Sequence, residues 1–141
     1  MDIFTAARSG DVKTIQRLIE SGISVNSKNE KGHSPLMLAS YNGYYDATKL
    51  LIGLGGDVNS VDESSNSILM GVVFKGHSQI FELLAEAGAD LNHQNNKNQT
   101  AMDLAVMFGR RTLIFRINQL QNSNRSDGKI EQIKTWVQKL V

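Results

Sequence analysis

The chain has 141 residues, 40% of them apolar and 21% charged, and 15 basic side chains against 14 acidic ones leave a formal net charge of +1. That length suits one compact unit that buries roughly two thirds of its unfolded surface. So small a charge gives no electrostatic case for nucleic acid or anionic lipid, which favour a concentrated basic field, and the absence of cysteine excludes disulfides and thiolate metal sites. The N-terminus, MDIFTAARSGD, places an acid at position 2 and lacks an apolar core segment, so it does not read as a signal peptide. No apolar run approaches the ~20 residues of a membrane span. The expected setting is the cytoplasm.

Internal repetition dominates the sequence. Gly10, Gly43, Gly76 and Gly109 stand 33 residues apart, and the same interval separates Gly22, Gly55 and Gly88. Asn26, Asn59 and Asn92 keep it too, as do Leu18, Leu51 and Leu84. Four position classes on one period mark a solenoid of similar units. The first unit, about 1–28, opens directly on an inner helix, DIFTAARSG. The second, 29–61, shows the whole plan. A turn from Asn29 to Gly32 leads to Ser34 and Pro35, where serine can cap a helix and proline suits its first position. Leu36, Leu38 and Ala39 form that helix's packing face, and Gly43 ends it, because a left-handed C-terminal residue is cheapest as glycine. A second helix carries Leu50, Leu51 and Ile52, stops at Gly55 and Gly56, and hands on through Asp57, Val58 and Asn59 to the next turn. Units 62–94 and 95–121 follow. Neither short helix buries its apolar face alone, so stability has to come from stacking on neighbours.

The fourth unit has Gln121 where earlier units close with glycine. A polar linker, 122–128, leads to a last segment, 129–141, in which Ile130, Ile133, Val137 and Leu140 fall on one helical face with Trp136 at its border. Ile114, Phe115, Ile117 and Leu120 give the fourth unit an apolar last helix with no repeat after it. Solenoid ends need cover, so 129–141 is expected to be a C-terminal capping helix. A detachable partner-binding helix is the alternative.

A turn, two short antiparallel helices and a Ser-Pro-Leu helix start on a 33-residue period resemble the ankyrin repeat. That family's Gly-Ala-Asp-Val-Asn ending stands here as Gly55-Gly56-Asp57-Val58-Asn59 and Gly88-Ala89-Asp90-Leu91-Asn92, and its Gly-His as Gly76-His77. The resemblance covers about 1–121. It implies an all-α ankyrin-repeat solenoid of four helix-turn-helix units with short turn or hairpin fingers. The third unit departs most, with Ser65 for the family's glycine, Ile68 for its proline and Met70 for its histidine. Phe4, Met37 and Asp103 take that histidine position in the other units. Asn98 fills the Ser65 position in the fourth unit, and asparagine tolerates left-handed geometry better than serine does. The turn at Ser65 is therefore expected to be strained or reshaped.

No catalytic constellation emerges. His33, His77 and His93 are not at metal-ligand spacing, and there is no phosphate loop, nucleophile elbow or His-Glu-x-x-His pattern. His77 holds the Gly-His position and reads as structural, while His33 and His93 fall at or near turns, where exposed polar residues are expected. The glycines are accounted for by helix ends. The expectation is a non-enzyme with no catalytic residue, no metal and no cofactor.

What the resemblance implies instead is a protein-binding concave side, formed by turn tips and by outward positions of the first helices. From the turns it names Lys31, His33, Glu63, Asn66, Lys97 and Gln99. From the inner helices it names Arg8, Tyr41, Asn42, Phe74, Lys75, Met107 and Phe108. Arg8, Tyr41, Phe74 and Met107 are 33 apart, so stacking aligns them along the groove floor, with Phe108 beside Met107. Such residue types are enriched at interface cores, and a contiguous exposed apolar strip marks a binding site. Cover by the C-terminal segment or neighbouring turns is the other reading of Phe74, Met107 and Phe108. The expected partner is another protein, not nucleic acid or membrane, and the chain alone is expected to be monomeric. Four repeats offer one standard interface of ~800 Å² per partner, which favours occlusion of a partner, as by an inhibitor. Small stand-alone ankyrin proteins of microbes include immunity-type proteins that neutralise toxins. A scaffold or regulatory adaptor holding two protein partners is the alternative, and it would need a second surface on the convex side or the C-terminal helix.

Overall fold

A computed structural model describes residues 1–123. Most of the polar linker and the whole of the segment 129–141 lie outside the described residues. Four inner helices, α1 (Ile3–Arg8), α3 (Pro35–Tyr41), α5 (Ile68–Lys75) and α7 (Ala101–Met107), alternate with outer ones. The outer set is α2 (Val12–Glu20), α4 (Tyr45–Gly53), α6 (Ser78–Glu86) and α8 (residues 111–123). Gly22, Gly55 and Gly88, at φ 107°, 97° and 91°, follow the first three outer helices, whereas α8 passes through Gln121 and is helical to 123.

Each inner helix starts on a side chain that accepts the backbone N–H three residues on. Asp2 takes it from Thr5 at 2.7 Å, and Ser34, Ser67 and Thr100 take it from Met37, Met70 and Asp103 at 3.2 Å. Caps of this kind are worth about 1 kcal/mol each. Asp103 returns the bond, accepting the Thr100 N–H at 2.9 Å and closing a capping box. The position that is histidine in the family thus serves a cap in the fourth unit, while Met37 and Met70 fill it as buried core.

Successive inner helices pack more densely on one another than the outer helices do, as suits a stack with its concave side along the inner row. Leu36, Ile68, Leu69, Val72 and Val73 from the inner row meet Ile15, Leu51, Phe81, Leu84 and Ile117 from the outer one in a continuous core. Each such side chain contributes roughly 1.5–3 kcal/mol on burial. Hydrogen bonds tie the units in register. Asn26 and Asn59 accept the N–H of Asp57 and Asp90 at 2.8 Å, and Gln121 donates to Asn92 at 3.2 Å. The residue after each of the last three inter-helix glycines reaches back one unit. His77 lies on Gly43 and donates to the Tyr41 carbonyl at 3.0 Å, Arg110 lies on Gly76 and donates to the Phe74 carbonyl, and Tyr44 lies on Gly10.

The Ser65 turn is not reshaped. Ser65 holds φ 61°, close to the 59° of Asn98, and so takes the left-handed strain itself. His93 braces it, donating from Nε2 to the Ser65 carbonyl at 2.7 Å. This corrects the expectation of an exposed turn residue, for His93 is half-buried. His33 is half-buried too, its ring edge-on to Tyr41 at 6.3 Å.

Candidate functional site: a groove beside the third and fourth units

The fingers are shaped by a column that sequence reading passed over. Asn29, Asp62 and Asn95 share the 33-residue interval, and each side-chain oxygen accepts the N–H groups two and four residues on at 2.9–3.0 Å. The finger of the third unit also closes through an antiparallel bridge between Val61 and Ser67. Adjacent fingers are then joined. Asn95, 9% exposed, donates to Asn66 at 2.9 Å and to Gln99 at 3.0 Å, and the Asn96 N–H donates to the Ser64 carbonyl at 3.1 Å. Such a satisfied amide cluster fixes the spacing of the two fingers.

Between these fingers, α5 and α7 lies a groove of about 440 Å³. Its floor is apolar. The rings of Phe74 and Phe108 meet edge to face at 4.7 Å and 85°, an arrangement worth ~0.5–1.5 kcal/mol, yet both stay more than two fifths exposed, at 44% and 43%. Met107 is exposed beside them, its sulfur accepting from Gln99 at 3.5 Å. Met70 and Leu104 complete the floor. At the rim, Lys75 places its ammonium 6.0 Å from the Phe74 ring centre, and Lys97 sits on the next finger.

Tyr41 is the wall rather than the open floor. Its ring lies on Gly71, where a Cβ would overlap it, and its hydroxyl donates to the Ser67 carbonyl at 3.4 Å. Burial pushes its phenol well above the usual tyrosine range, and the Asp62 carboxylate adds to the shift. The structure therefore gathers Tyr41, Asn66, Phe74, Lys75, Lys97, Gln99, Met107 and Phe108 around one groove. Arg8, Lys31, His33, Asn42 and Glu63 lie outside its lining. Arg8 is exposed on α1, Asn42 donates to the Leu38 carbonyl at 2.7 Å, and Glu63 covers Gly32. Gly71 was missed as a site residue, although it is the inner-helix glycine that stands off the helix-end columns. A second hollow of about 340 Å³ lies on the outer side between α6 and α8, where Arg116 grips Glu82 at 2.6 and 3.0 Å beside exposed Phe115.

Among the described residues no group of three or more histidines and carboxylates is placed to hold a metal ion, and no helix is long and apolar enough to cross a membrane. Stacked helix pairs, capped inner helices and projecting fingers define a helical-repeat solenoid that presents a groove. A family profile described as "Ankyrin repeats (3 copies)" matches residues 37–118, and one described as "Ankyrin repeats (many copies)" matches 3–52. The chain belongs to the ankyrin repeat family. It is similar to an ankyrin repeat protein of Pseudomonas aeruginosa, 42% identical over 48 residues, or 34% of this chain and 28% of that protein. The match thus spans under a third of the relative's length. Ankyrin repeats are protein–protein interaction modules, of a non-catalytic kind.

Proposed function

We propose that this chain binds a partner protein through its concave face and occludes that partner's working surface, acting as an inhibitor. The observation that supports this most is the exposed aromatic pair Phe74 and Phe108, with Met107 beside it, at the bottom of a groove framed by two rigidly joined fingers. Interface energy concentrates on such anchors in pre-formed pockets. In this reading the chain works in the cytoplasm, is monomeric until it meets its partner, and takes neither nucleic acid, membrane nor cofactor. Its specific form is an immunity-type protein that neutralises a toxin, which one interface suffices to do. Residues 129–141 serve as a cap on the fourth unit, a role supported by the partly buried Ile114 and Leu120 on α8 and by the apolar face of that segment.

The scaffold reading draws on the outer hollow at Phe115, a second surface on which another partner can seat. A native partner captured on the full chain separates the two. Occlusion predicts stoichiometric loss of the partner's activity as the chain is added. A scaffold predicts retained activity and a ternary complex that breaks on Phe115→Ala.

A further inference from the structure

We infer that the groove takes an apolar side chain from an acidic segment of the partner: an aromatic or large aliphatic residue with carboxylates close by in the partner's sequence. The inference rests on the concave-face reading above and adds the chemistry of the occupant. The floor supplies the first half of the signature. Phe74 and Phe108 meet at right angles and stay more than two fifths exposed beside Met70 and Leu104, a slot for one flat or branched apolar group.

The rim supplies the second half. Its charged residues are Lys75, Lys97 and Asp62. Asp62 is engaged inside its own turn: one oxygen accepts the N–H groups of Ser64 and Asn66 at 2.9 Å, and the other accepts the Asn66 amide at 3.3 Å. Among the described residues neither lysine has a carboxylate within ion-pair distance, the Arg116–Glu82 pair being the ion pair found there. Two ammonium groups on the rim of an apolar slot, unpaired by any described carboxylate, complement carboxylates and repel cations, which sets both partner choice and association rate. The same sign argues against self-occupancy. Residues 124–141 carry Arg125, Lys129, Lys134 and Lys139 against Asp127 and Glu131, and a second copy brings a net charge of +1.

Selection of a random dodecapeptide library on the full chain, run in parallel on Lys75→Glu/Lys97→Glu, tests this. Both lysines are exposed, so the variant keeps the fold, and a thermal melt checks it. The expected result is enrichment of an aromatic or large aliphatic residue flanked by Asp or Glu on the parent chain, and loss of the acidic flanks on the variant. A selected acidic peptide should bind the variant at least about tenfold more weakly. Enriched peptides without an acidic bias, or with the same bias on both chains, overturn the inference while leaving the concave-face reading intact. Binding that ignores Phe74→Ala with Phe108→Ala removes the groove and that reading with it. A selection without binders overturns the linear acidic segment as occupant, and a concentration-dependent dimer abolished by Phe74→Ala assigns the groove to a second copy instead.

Discussion

Gly71→Ala asks whether the stack is built around Tyr41. On helix propensity alone the change is favourable, since alanine exceeds glycine inside a helix by about 1 kcal/mol and Gly71 lies within α5 without a left-handed φ. Packing opposes it. A Cβ at position 71 would stand 2.5 Å from Tyr41 Cζ and 2.6 Å from Cδ1, well inside contact distance. The ring is held from two other sides, by the edge of His33 and by its hydroxyl's bond to the Ser67 carbonyl. Overpacking costs about 1–3 kcal/mol, and a still closer approach to Tyr41 Cε1 puts this site at about 2–3 kcal/mol, so after the propensity gain Gly71→Ala is expected to destabilise the chain by about 1–2 kcal/mol net. In a Tyr41→Ala background the obstruction is gone, and the same substitution should stabilise by about 1 kcal/mol. The coupling across the cycle is then about 2–3 kcal/mol, far above the scatter of independent sites. Urea denaturation followed by far-ultraviolet circular dichroism gives the four stabilities. Equal stabilisation by Gly71→Ala in both backgrounds would refute the proposed seat of the ring.

Three other outcomes follow from the same geometry. Ser65→Gly relieves a left-handed serine while keeping the carbonyl that His93 binds, so it should raise stability by about 0.5–1 kcal/mol; a loss in urea melts would show that Ser65 is not strained. Tyr41 is favoured neutral in the fold, so its contribution is full below the usual tyrosine value of about 10 and is lost as pH rises toward its raised folded value. Thermal melts should therefore drop above pH ~10, and Tyr41→Phe should flatten that drop. Deletion of 128–141 should lower the melting temperature by roughly 10 °C if the segment caps α8, and an unchanged melt rules the cap out.

Much of this architecture was legible because helix ends make local demands. A left-handed backbone asks for glycine, so Gly10, Gly43, Gly76 and Gly109 announce the period and the end of each inner helix. What escaped depends on contacts from other units. Ser65 keeps a glycine's conformation with a brace from His93, 28 residues on. The column Arg8, Tyr41, Phe74 and Met107 was read as one row of a groove floor, yet its members do not behave alike. Tyr41 turns into the stack because the next unit offers it Gly71, a slot without a side chain. At the same 30-residue offset from Arg8 and Phe74 stand Leu38 and Leu104, which carry side chains where Gly71 has none, and Arg8 and Phe74 are exposed. Periodicity fixes where a residue stands, and the neighbour it meets fixes where its side chain goes.

The claim that this groove is the protein-binding surface is tested most directly by the Kd of a captured native partner for the parent chain and for Phe74→Ala/Phe108→Ala. Both rings are substantially exposed, so their loss should leave the fold standing, with a melt lowered by no more than a few degrees. Two aromatic anchors removed from an interface cost about 3 kcal/mol together, and the account predicts a Kd weakened by ~100-fold. An unchanged Kd with the fold intact would place the binding surface elsewhere and contradict it.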